Sequence, residues 1–115
     1  MKNYTLVLML FVIACSCKPK QEPHLPPDKM QHILTDMHLA EINSMFVYDS
    51  THQARNKNPD SLALYYNEIF AHYNITKEEF SKSLDWYKLN PEELDSVYSR
   101  VITDLSIMSG EAEKK

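Results

Sequence analysis

A single glycine, Gly110, in 115 residues is the feature that most restricts what this chain can fold into. Tight hairpin turns and phosphate-cradling loops draw on glycine's freedom at positive φ, so a many-stranded sheet and a Gly-rich nucleotide loop are both disfavoured. Helices remain, with turns made by Asn, Pro and capping residues. The 43% hydrophobic content, with seven Tyr and six Met, is that of a globular core rather than a disordered chain. About 85 residues are left for that core once a leader and linker are set aside, close to the lower size that folds without staples.

Lys2 precedes an apolar run from Leu6 to Ala14 that is too short to span a bilayer stably and right for a signal-peptide core, so residues 1–14 are excluded from the fold. Val12-Ile13-Ala14-Cys15 resembles the bacterial lipobox, which implies lipidation (palmitate among the acyl groups) of Cys15 as the first mature residue. A second, poorer match ends at Cys17, with Ala14 instead of Val12 three places before the cysteine. The alternative is a plain signal peptide with incidental cysteines. Two cysteines at one point cannot staple the domain and do not make a zinc ligand set. Residues 18–27 hold four of the six Pro and lack periodicity, so residues 15–27 read as a lipidated cysteine and a tether reaching ~30 Å.

Four amphipathic stretches follow. Asp28 with Gln31 reads as a capping box, and Met30, Ile33, Leu34, Met37, Met45 and Tyr48 share one helical face. Leu39, Ile42 and Phe46 form a stripe roughly opposite, leaving a polar wedge of Lys29, His32, Asp36 and Asn43. This helix is expected at the centre of a bundle, the alternative being a covering partner. Residues 50–57 read as the one long loop. Asn58-Pro59-Asp60 then opens a helix whose stripe is Leu62, Tyr65, Tyr66, Ile69, Phe70 and Tyr73, with Asn74 as a left-handed C-cap and Ile75 folded back on Phe70.

Thr76 and Glu79 form a second capping box, with Ile75 and Phe80 placed as a hydrophobic staple. Asn90-Pro91-Glu92-Glu93 repeats the device, with Leu89 and Leu94 as the staple. The last helix carries Leu94, Val97, Tyr98, Val101, Ile102, Leu105 and Met108, and Gly110 is expected to end it before a charged tail, residues 110–115. The fold class is all-α: a small bundle of about four amphipathic helices over residues 28–109. The echo between Asn58-Pro59-Asp60-Ser61-Leu62 and Asn90-Pro91-Glu92-Glu93-Leu94 reflects shared capping grammar, since two copies cannot build a solenoid.

Ile33-Leu34-Thr35-Asp36-Met37-His38-Leu39-Ala40-Glu41, Tyr65-Tyr66 with Ile69-Phe70, Tyr73-Asn74-Ile75-Thr76 with Phe80, and Pro91-Glu92-Glu93-Leu94 with Tyr98 and Val101 together resemble a family of small Bacteroidetes-type lipoproteins carrying domain of unknown function 4296. The resemblance covers residues 26–108, departs at Asn74 where Gly is expected, and implies a lipoprotein without implying an activity. Surface-exported lipoproteins of such bacteria tend to be acidic just after the cysteine. Ser16-Cys17-Lys18-Pro19-Lys20 is basic, so the resemblance places the domain in the periplasm, lipid-anchored to the outer membrane.

Asp36, His38 and Glu41 are the one tight cluster of acid-base or metal-ligand types. On a helical wheel Glu41 falls within the apolar face, His38 flanks it and Asp36 points away. A carboxylate there needs a partner, His38 or the hydroxyl of Tyr65 or Tyr66, and a buried structural network is the expectation against a catalytic or metal site. Glu68 and His72, at i and i+4, lack third and fourth ligands and read as a surface pair. Trp86 and Leu64 lie off their helices' stripes and are a candidate partner patch, unless the loop or tether covers them.

The formal charge of −4 becomes more negative when Lys2 leaves with the leader, so nucleic acid is not an expected partner. No Gly-x-Ser-x-Gly elbow occurs, and no enzyme activity, cofactor or metal is expected. The reading is a membrane-anchored, non-catalytic module that binds an envelope protein or peptide. The alternatives are a metal or catalytic site at His38 and Glu41, and a periplasmic chaperone-like factor.

Overall fold

A computed structural model describes residues 23–47 and 56–114; the leader, both cysteines, Tyr48 and most of the 50–57 loop lie outside the described residues. Those described form four helices and no strand: α1 (Pro27–Ser44), α2 (Pro59–His72), α3 (Lys77–Leu89) and α4 (Pro91–Ala112). α1 packs against both α2 and α4, and α3 against α4, so α1 is central, but the second stripe expected to be covered is not: Ile42 is 47% and Phe46 81% exposed. Met30, Ile33 and Leu34 of α1 meet Phe70 of α2, Phe80 and Tyr87 of α3, and Val97 and Val101 of α4 in one buried cluster. Each such side chain contributes about 1.5–3 kcal/mol of burial, so no helix is dispensable. None of the helices is long and apolar enough to cross a membrane.

The junction between α2 and α3 follows the sequence closely. Asn74 takes φ 51°, its N–H donates to the Ala71 carbonyl at 3.1 Å, and the Ile75 N–H donates to the Phe70 carbonyl at 3.0 Å. Those two bonds complete a Schellman motif, and they bring Ile75 back against the cluster holding Phe70 and Phe80. Thr76 then caps α3: its hydroxyl accepts from the Glu79 N–H at 3.1 Å while Glu79 accepts from the Thr76 N–H at 2.7 Å. At the start of α2, the Asn58 carboxamide oxygen accepts from the Asp60 and Ser61 N–H groups, both at 3.1 Å.

Three expected termini are different. Asp28 and Gln31 form no capping box, because the N-cap is Pro26 and Pro27 already starts α1. Prolines fix φ and have no N–H to satisfy, which frees both side chains for α4: Asp28 pairs with Arg100 at 2.7 Å and Gln31 donates to Asp104 at 2.7 Å. Asn90 is the only residue between α3 and α4, and its amide donates backwards to the Trp86 carbonyl at 2.8 Å, so it closes α3 instead of boxing α4. Leu89 is correspondingly 83% exposed and makes no staple onto Leu94. Gly110 does not end α4, which runs on to Ala112 without a left-handed residue.

The last residues of the stretch expected to be a free tether are docked on the bundle. The Leu25 N–H donates to Ser83 Oγ at 2.8 Å, and its carbonyl accepts from the Tyr87 hydroxyl at 2.9 Å. Leu25 packs on the core, and the His24 ring stacks on Trp86 with centroids 3.5 Å apart. The packed region therefore reaches back at least to His24, ahead of the expected start at 28.

Candidate binding groove between helices one and two

α1 and α2 run antiparallel, as their cross-helix bonds require. The Tyr73 hydroxyl donates to Asp36 Oδ2 at 2.7 Å, the Tyr66 hydroxyl to Glu41 Oε1 at 3.1 Å, and the Asn58 N–H to the Ser44 carbonyl at 3.4 Å. An open cleft runs along one flank of the seam. This groove holds about 370 Å³. Asp36, Leu39, Ala40 and Asn43 of α1 form one side, and Tyr65, Glu68, Ile69 and His72 of α2 the other. Its size is at the lower end of small-ligand clefts, with an apolar floor and a few polar groups on the rim.

The predicted cluster around Glu41 is present but arranged differently. Glu41 is not buried: its side chain retains 29% exposure and takes Lys57 Nζ at 2.8 Å. His38 Nδ1 stands 3.9 Å away, at the edge of ion-pair range. Tyr66 supplies the second partner, while Tyr65 turns into the groove, so the tyrosine pair is divided between two environments. The Lys57 ammonium, foremost, holds the Glu41 carboxyl below its usual range, against a smaller upward push from desolvation. Lys57 escaped the sequence reading because it belongs to the aperiodic loop, where no pattern assigns a side chain to a face.

Asp36 does not point into solvent alone. Its bond from Tyr73 fixes a carboxylate at the groove's edge, and burial, together with that anionic acceptor, pushes the Tyr73 hydroxyl up to about 12. Tyr66 is raised to about 12 for the same two reasons, with Glu41 as acceptor. Both phenols are donors at any physiological pH. Helical periodicity held a signal for Asp36 that the sequence reading passed over: Asp36 and Ala40 are one turn apart on the face turned to α2.

Glu68 and His72 do lie together, on the groove wall with Asp36 opposite. Among the described residues, however, no three His, Cys, Asp or Glu side chains converge as a metal-ligand set. Of the candidate patch, Leu64 is 64% exposed, but Trp86 is half-buried, covered by His24 and set edge-on to Tyr87. The two residues do not make one exposed surface, because His24 occupies the indole.

Comparison with curated proteins and with solved structures returns no match to this chain. A protein-family model, described as a domain of unknown function (DUF4296), matches residues 22–110, a span that opens just ahead of the docked segment and takes in all four helices apart from the last residues of α4. The chain belongs to the DUF4296 family.

Proposed function

We propose that the protein is a lipoprotein anchored through Cys15 to the outer membrane and facing the periplasm, and that its helical domain is a non-catalytic module that binds an envelope protein or peptide. The groove between α1 and α2 carries this reading: an open cleft with Leu39, Ala40 and Ile69 on its floor and polar groups on its rim has the composition of peptide-recognition sites. Lipobox-like residues Val12 to Cys15 support the anchor. Glu41 supports a structural role for the His38 cluster, because both its oxygens already have partners in Lys57 and Tyr66.

The test is crosslinked capture from intact envelope with the wild type and with Leu39→Lys, which places a cation on the groove floor. A protein captured by the wild type and lost with Leu39→Lys at unchanged melting temperature is the expected result. Identical capture by both refutes the groove as the binding site.

A further inference from the structure

We infer that the α1–α2 groove selects a basic segment of its partner, receiving a Lys or Arg side chain at its acidic rim and a neighbouring aliphatic side chain on its floor. This rests on the peptide-binding reading above and names the chemistry of the ligand. Three observations on the groove converge on it.

First, the lining carries two carboxylates from different helices, Asp36 on α1 and Glu68 on α2, about one turn apart along the seam in the register set by the Asp36–Tyr73 and Glu41–Tyr66 bonds, and no Lys or Arg is among the lining residues. Second, Asp36 is held in place. The Tyr73 hydroxyl bonds one of its oxygens at 2.7 Å, so the carboxylate does not need to be ordered when a cation arrives. A preorganised acceptor loses less side-chain entropy on binding than a free one. Third, Leu39 and Ile69 line the same groove, Leu39 three residues on from Asp36 in α1 and Ile69 next to Glu68 in α2, and Tyr65 lines it one turn before Ile69. A basic side chain has an aliphatic stem and a charged head, and this juxtaposition offers a surface for each. The tyrosine ring adds a face on which a guanidinium can rest.

A neutral or acidic peptide gains the floor but brings no cation to the two carboxylates at the rim, which is a cost against the wrong partner as well as a gain for the right one. The negative formal charge of the whole chain adds to the same preference at long range.

The experiment uses the full chain in phosphatidylcholine nanodiscs and a random dodecapeptide library displayed on phage. Selected peptides are expected to carry Lys or Arg next to Leu, Ile or Phe. Their affinity should fall about tenfold in the Asp36→Asn, Glu68→Gln double variant, the sum of two partly exposed ion pairs, and should weaken with added salt. Asn keeps an oxygen for Tyr73 and residue 68 is exposed, so the fold is expected to be unchanged, which a melting curve verifies. Peptides without basic residues, affinity unmoved by the double variant, or no selection at all overturns the inference. Its failure is separable from failure of the broader reading: if envelope capture is lost with Leu39→Lys but kept by the double variant, the groove binds a partner by other chemistry.

Discussion

The imidazole of His24 lies flat on the indole of Trp86, ring centres 3.5 Å apart and planes within 4° of parallel. His24 precedes the first helix, so this stack ties the segment ahead of α1 to α3, the helix furthest from it in sequence but one. Leu25 continues the attachment through its bonds to Ser83 and Tyr87. In the proposed lipoprotein, the chain would leave the bundle at His24, beside α3, instead of pivoting at residue 27.

The first prediction follows from that attachment. A chain beginning at residue 28 loses the two Leu25 hydrogen bonds, the Met30 N–H bond to the Pro26 carbonyl at the start of α1 and the half-buried Leu25 side chain, and is expected to be about 2–5 kcal/mol less stable than one beginning at residue 23. Equal denaturation midpoints for the two would show that the docked segment contributes nothing. Trp86 fluorescence reports on the same contact, and should change with His24→Ala.

Ile75 is the second test. Its N–H closes the Schellman motif on Phe70 and its side chain packs on the core beside Phe80. Ile75→Asp keeps the backbone bond but places a carboxylate in an apolar contact, costing on the order of 2–3 kcal/mol. A melting temperature unchanged by this substitution would mean that the junction is held by its backbone alone.

The α2–α3 junction was readable in the sequence because every signal in it is local: Asn74, Ile75, Thr76 and Glu79 act on neighbours within five residues. The start of α1 and the α3–α4 joint were misread because a competing partner won each time. Gln31 has a better acceptor in Asp104, 73 residues away, and Asn90 has a nearer one in Trp86. The site shows the same division. Periodicity located Glu41 and Tyr66 on facing stripes, but Lys57 sits in an aperiodic loop and Tyr73 reaches an aspartate that the wheel placed in solvent. Groove formation is a property of the α1–α2 pairing, and no single helix carries a mark of it.

Lipidation is the third prediction. Radiolabelled palmitate should be lost with Cys15→Ser and kept with Cys17→Ser, since Val12 occupies the aliphatic position three before Cys15. The reverse pattern moves the anchor. Protease added to intact cells should leave the domain uncut if it faces the periplasm, and removal of the domain would put it outside.

The two raised tyrosines give an alkaline prediction with a definite sign. Tyr66 and Tyr73 hold their protons more tightly in the folded chain, at about 12, than at the ordinary 10.0 of the unfolded one. Their contribution is therefore fully present below pH 10 and is lost as the pH rises through 12. The Tyr66→Phe, Tyr73→Phe double variant removes it, so the stability gap between wild type and variant should narrow over that window. A gap that stays constant would separate these phenols from the fold's alkaline sensitivity.

Glu41 gives the last prediction, with substitutions that distinguish its two partners. Glu41→Gln preserves an oxygen for the Tyr66 hydroxyl but ends the ion pair with Lys57, a partly exposed pair worth about 0.5–1 kcal/mol. Glu41→Leu removes both, and the half-buried Tyr66 hydroxyl is left to find water, so a larger loss of about 1–2 kcal/mol is expected despite the added apolar area. Because Lys57 lowers the folded pKa of this carboxyl, its contribution is present above the unfolded value of 4.5 and is lost as pH falls through the lower folded one. The difference between wild type and Glu41→Gln should accordingly shrink on acidification below that value. Urea midpoints measured for the three proteins at neutral and acidic pH test both statements: a Leu variant as stable as the wild type would mean that Tyr66 needs no acceptor, and a difference that persists at acid pH would mean that charge at position 41 is not what the fold uses.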